Sequence, residues 1–130
     1  MSTPTKISLP DFADPELLDW LLEATEDDIE RLPFGVVGMD QQLICTLYNE
    51  FESHKAGLPA ERVVGRPFFE EIAPCMNNAL VSDKLLEDSG RDETLAYTLS
   101  VRIKPTDVTL RLLARKGEAQ KFLIIDWTGG

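Results

Sequence analysis

Three side chains between positions 48 and 75 could do chemistry: the phenol of Tyr48, the carboxyl of Glu52 and the thiol of Cys75. Cys75 directly follows Pro74, where the apolar run FFEEIA gives way to the polar pair Asn77-Asn78, a junction from which a side chain can face a pocket. An uncharged buried cysteine is more often packing than chemistry, and Cys45, inside LICTL, fits that description. A nucleophilic thiol needs a base. His54 is the single histidine, it stands in the polar segment ESHKAG, and no nucleophile elbow or protease signature accompanies it. Tyr48 and Glu52 are four apart and share a face if that segment is a helical turn. They then form either a surface pair or a pair turned inward toward a buried polar group. No CxxC, HExxH or glycine-rich phosphate loop is present.

The rest of the chain must position these groups. Its 130 residues suit one core, and a hydrophobic share of 43% is enough to fold it. Acids number 23 against 13 bases, a formal net charge of −10, which argues against nucleic acid and anionic membrane as partners. No apolar run approaches a membrane span, and the N-terminus lacks the basic-then-apolar pattern of a signal peptide. Two cysteines do not make a disulfide framework, so reduced thiols in the cytoplasm are expected.

Helix signals come first. The opening dozen residues, with Pro4 and Pro10, read as a loosely held arm. Asp14-Pro15-Glu16 is a helix start, followed by Leu17, Leu18, Leu21 and Leu22 at helical spacing. Thr25 opens a second short helix that stops before Pro33. FGVVGM and LICTLYN flank Asp40-Gln41-Gln42 as a hairpin. Gly57, Pro59, Gly65, Pro67 and Pro74 leave room only for short helical turns, and a longer helix is expected over residues 79–87. Leu95, Tyr97, Leu99, Val101 and Ile103 then alternate with polar or small residues, the pattern of a half-buried antiparallel strand. Lys104-Pro105-Thr106-Asp107 reads as a turn, Val108, Leu110 and Leu112 as the next strand, Lys116-Gly117-Glu118 as another turn and KFLIIDW as the last strand. The expected class is α+β: a five-stranded antiparallel sheet with short helices on one face and N-terminal helices covering the other. Residues 1–32 read as the helical cap and 33–130 as the core, with a ligand pocket between the sheet and the short helices.

The stretch Tyr48-Asn49, Glu52, Gly57, Val64-Gly65, Phe68-Phe69 and Ala73-Pro74-Cys75 resembles the photoactive yellow protein family, blue-light sensors of the PAS class. Leu32-Pro33-Phe34-Gly35 is similar to that family's entry into the first strand, and Pro105-Thr106 with Val108 to its fourth-strand turn. The resemblance implies a PAS fold and a covalent p-coumaric acid (4-hydroxycinnamic acid) held as a thioester on Cys75. It implies hydrogen bonds from Tyr48 and Glu52 to the phenolic oxygen, and Tyr97, Leu99 and Ile103 against the chromophore. Cys75 would then be an attachment point rather than a turnover nucleophile. The chain departs from the family pattern at Ala56, where a threonine supports the tyrosine, and at Leu58, where an arginine shields the pocket. Leu99 and Ile103 are aliphatic where an aromatic and a methionine are usual. These departures imply altered colour or recovery.

The leading expectation is therefore a signalling photoreceptor rather than an enzyme. It would be a monomer or weak dimer that reports to an unidentified downstream signalling protein. The alternative is a PAS-like ligand-binding or dimerisation module without photochemistry. A thiol enzyme pairing Cys75 with His54 stands third.

Overall fold

The structure is a computed structural model that describes residues 9–87, 89–101 and 104–127, without the side chains of 100, 101 and 104. Five strands form one antiparallel sheet in the order β2-β1-β5-β4-β3: β1 Gly35–Met39, β2 Cys45–Tyr48, β3 Arg91–Val101, β4 Lys104–Ala114 and β5 Lys121–Asp126. This is the PAS arrangement expected from the sequence.

β1 and β5 lie centrally and are covered on both faces, so they are apolar without alternation. Their neighbouring residues divide between two cores. Val36, Phe122 and Ile124 join Leu17, Leu21, Ile29, Leu32 and Phe34 on the cap side. Val37, Leu123 and Ile125 face the other way, with Tyr48, Phe68, Phe69, Met76 and Leu99. The outer strand β3 keeps the alternation read from the sequence, with 95, 97 and 99 turned in and 94, 96 and 98 exposed.

The cap consists of α1 Leu17–Glu23 and α2 Glu26–Glu30. The Asp14 carboxylate accepts the Glu16 N–H at 2.8 Å, and the Thr25 hydroxyl accepts the Asp28 N–H at 3.2 Å, both near the expected starts. The described part of the N-terminal arm is not loose. Pro10 is buried, Phe12 packs edge-on against Phe34 at 6.0 Å, and the Arg111 guanidinium binds the carbonyls of Phe12 and Asp14 at 2.7 and 2.9 Å. Residues 1–8 lie outside the described part.

Two expectations about element ends are corrected. Residues 104–107 belong to β4 rather than to a turn: Ser100 pairs with Pro105 and Val101 with Lys104. Proline is tolerated because β4 pairs there with β3, while its register with β5 begins at Thr109. The helix expected over 79–87 shrinks to α4, Ser82–Leu86. The Asn78 side chain accepts the Leu80 and Val81 N–H groups at 2.9 and 3.2 Å, and this local turn holds the chain out of the helix until Ser82.

The hairpin forms as expected. The Asp40 carboxylate accepts the N–H groups of Gln42 and Ile44, both at 2.9 Å. This brings the chain through Leu43 at a φ of 63°, the left-handed region that side chains seldom adopt.

Candidate functional site

Tyr48 and Glu52 come together by a route other than the shared helical turn expected for them. Tyr48 is the last residue of β2, and Glu52 lies in the first turn of α3, Glu50–Ala56. The hinge between them is Asn49, fully buried at 0% exposure. Its side-chain oxygen accepts the Glu52 N–H at 3.1 Å and the Val36 N–H at 3.0 Å. Its amide nitrogen donates to the carbonyls of Ile29 and Phe34, both at 3.1 Å. All of its polar atoms are engaged, so burying it leaves no unmet group. The start of α3 is thereby fastened to β1 and to the cap. The Glu30 carboxylate adds a second tie by accepting the Glu50 N–H at 2.5 Å.

Cys75 is presented from the other direction. Phe68–Ile72 makes a π-helical turn closed by the Ala73 N–H on the Phe68 carbonyl at 2.9 Å, and Pro74–Met76 continues as a 3-10 turn. The Cys75 carbonyl accepts the Tyr97 hydroxyl at 2.6 Å and the Asn78 amide at 3.3 Å. The Asn78 amide also reaches the Tyr97 oxygen at 2.7 Å. β3 thus holds the backbone beneath the thiol.

Between the sheet and these turns lies a cavity of about 250 Å³. Tyr48, Glu52, Cys75, Leu99 and Trp127 line it, together with Ala56, Leu58 and Phe68. Tyr97 does not line it: its hydroxyl is committed to the Cys75 carbonyl. Ile103 lies outside the described residues. His54 is exposed on α3, two residues from the inward-facing Glu52, and is not among the lining residues.

Glu52 is only 3% exposed, and burial lifts its carboxyl from 4.5 to about 7, opposed by the hydrogen bond from Trp127. Below neutrality the acid keeps its proton. The Trp127 indole N–H donates to Oε1 at 2.8 Å. That same oxygen lies over Gly35, where an added Cβ would come within 2.0 Å of it, so β1 must be bare here. Burial also pushes the Tyr48 phenol up, with contributions from Glu52 and Cys45. Among the described residues nothing hydrogen-bonds the Tyr48 hydroxyl or the second Glu52 oxygen. Both can therefore serve a ligand.

Cys45 lies buried in β2 with its thiol toward the Leu47 carbonyl at 3.4 Å, and burial raises it to about 11, which suits packing. Among the described residues no cluster of His, Cys, Asp or Glu could hold a metal ion, and no helix is long and apolar enough to cross a membrane.

Trp127 has no site role in the sequence reading, where it simply ends a strand. Its signal is that of any partly buried tryptophan, whose N–H needs an acceptor. The sequence does not say which one.

Comparison with known proteins gives this geometry a context. The chain is 26% identical over 104 residues to photoactive yellow protein from Halochromatium salexigens, covering 78% of this chain and 83% of that one. It is 41% identical over 58 residues to photoactive yellow protein from Rhodobacter capsulatus, covering 45% and 47%. The chain is similar in sequence to the photoactive yellow proteins. The photoactive yellow protein domain of the sensor histidine kinase Ppr from Rhodospirillum centenum superposes with a TM-score of 0.75 at 24% identity, over 82% of this chain and 96% of that domain, a likeness of fold. No protein-family model matches the chain.

Proposed function

We propose that this protein is a blue-light photoreceptor that carries p-coumaric acid as a thioester on Cys75. The observation that carries the reading is that Cys75, Tyr48 and Glu52 line one cavity of about 250 Å³. The residues present fit the group. The cavity suits a single-ring acid, a partly buried thiol opens into it, and among the described residues the Tyr48 hydroxyl and one Glu52 oxygen have no partner. The bound chromophore would supply light absorption and isomerisation of its double bond.

The chain's own residues supply the rest. Tyr48 donates its hydroxyl to the phenolic oxygen. Glu52 donates its acid proton there, which a carboxyl held neutral by burial can do. Such short donors to an anion are the strong kind of hydrogen bond. On signalling, Glu52 gives up that proton and is left as a buried carboxylate, at a cost of several kcal/mol. α3 carries Glu52 and is tied to the cap through Asn49 and Glu30, so strain at Glu52 reaches α2 directly. Loosening of the 1–32 cap from the 33–130 core is the output, read by a signalling partner in the cytoplasm.

Reconstitution with an activated thioester or anhydride of p-coumaric acid tests this. A yellow adduct that bleaches in blue light, mapped to Cys75 by mass spectrometry and absent from Cys75→Ala, is expected. No adduct, or equal labelling of Cys75→Ala, overturns the photoreceptor reading in favour of a PAS-like module without photochemistry. An adduct that requires His54 would revive the thiol-enzyme reading.

A further inference from the structure

We infer that Trp127 is a positioning residue that fixes which oxygen of Glu52 carries the acid proton. The inference rests on the reading of Glu52 as a neutral donor to the cavity. Indole can only donate, and in a neutral carboxyl group the carbonyl oxygen is the stronger acceptor while the hydroxyl oxygen carries the proton. The Trp127 N–H points at Oε1 from 2.8 Å. This contact favours Oε1 as the carbonyl oxygen and places the proton on Oε2.

Among the described residues no other group hydrogen-bonds the Glu52 carboxyl. Ala56 and Leu58 line the same cavity and bring no donor. Gly35 of β1 presses on Oε1 and closes it to a ligand. Among the described residues, the titratable groups around Glu52 are Tyr48 from β2, Cys45 behind it, and Cys75 across the cavity, and no cationic side chain lines the cavity. Trp127 directly follows β5, so the strand end, rather than α3, orients the acid. Without this N–H the carboxyl could turn over and present its carbonyl oxygen to an anionic ligand, which would repel it. When the proton leaves, the same N–H gains a charged acceptor and holds it more strongly.

The test uses the full chain without chromophore. In NMR spectra the Trp127 indole N–H, assigned by its loss in Trp127→Phe, should shift with a midpoint near 7. In Glu52→Gln it should stay flat with pH. The carboxyl infrared band of Glu52, assigned by its loss in Glu52→Gln, should titrate about one pH unit higher in Trp127→Phe. An indole signal that titrates unchanged in Glu52→Gln, or a Glu52 midpoint unmoved in a natively folded Trp127→Phe, overturns the inference. If Trp127→Phe does not fold, Trp20→Phe assigns the two indole signals by difference and the Glu52→Gln comparison decides. Failure to acylate Cys75 would sink the photoreceptor reading and leave these titrations standing, so the two failures are separable.

Discussion

Arg111 and Glu52 are hidden almost equally, at 4% and 3% exposure, on opposite sides of the sheet. Their surroundings differ. Arg111 on the cap side grips the Asp92 carboxylate with two hydrogen bonds of 2.8 Å and the carbonyls of Phe12 and Asp14 with two more. Its charge is matched and its donors are used, so it has little reason to change. Among the described residues, Glu52 on the cavity side has one hydrogen bond to its carboxyl, from a neutral indole. A buried charge that is fully paired acts as a fastener, and a buried acid left underpaired is poised to change its protonation. One thin sheet thus keeps a fixed face and a responsive one, and α3 touches both through Asn49.

This contrast can be broken from either side. Removing the fastener is expected to do the most. Arg111→Ala should cost about 3 kcal/mol, seen in denaturant melts, and should expose the N-terminal segment to protease before the sheet unfolds. Glu52→Gln should act through pH. With its acid raised from 4.5 to about 7, the folded chain binds the extra proton between those values, so stability is full below 4.5 and falls as pH rises through 7. The fall should be about 3 kcal/mol, measured by melts across that range, and Glu52→Gln should flatten it. Asp92 behaves oppositely, because its hydrogen bond to Arg111 holds it below the usual carboxylate range. Its contribution is lost as pH falls through its lowered value, so acid weakens the cap face while rising pH strains the cavity face. The smallest effect should come from Tyr97→Phe, which removes the bond to the Cys75 carbonyl and should cost about 1 kcal/mol. It should leave the Glu52 titration unmoved, since Tyr97 supports the thiol's backbone from outside the cavity.

Much of the frame was readable from the chain. The alternation around Tyr97 and Leu99, the helix starts at Asp14 and Thr25, and the Asp40 hairpin all follow from local rules of period and turn chemistry. Those rules act over a few residues, and they failed where a longer-range partner decides. Tyr48 and Glu52 lie on different elements because Asn49 bonds α2, β1 and α3 at once, which spacing cannot reveal. Pro105 reads as a turn residue until β3 is known to run beside it. Tyr97 has the parity of a pocket residue, yet its hydroxyl is drawn to a carbonyl 22 positions earlier in the chain. Trp127 and Glu52 are 75 positions apart, and only the closed sheet makes them neighbours.

The side-chain oxygen of Asn49 receives two amide protons, one from Val36 and one from Glu52. Those two protons have a single lock between them. Water that reaches one by swinging this oxygen aside frees the other in the same event, so the first strand and the acid-bearing helix breathe as one body.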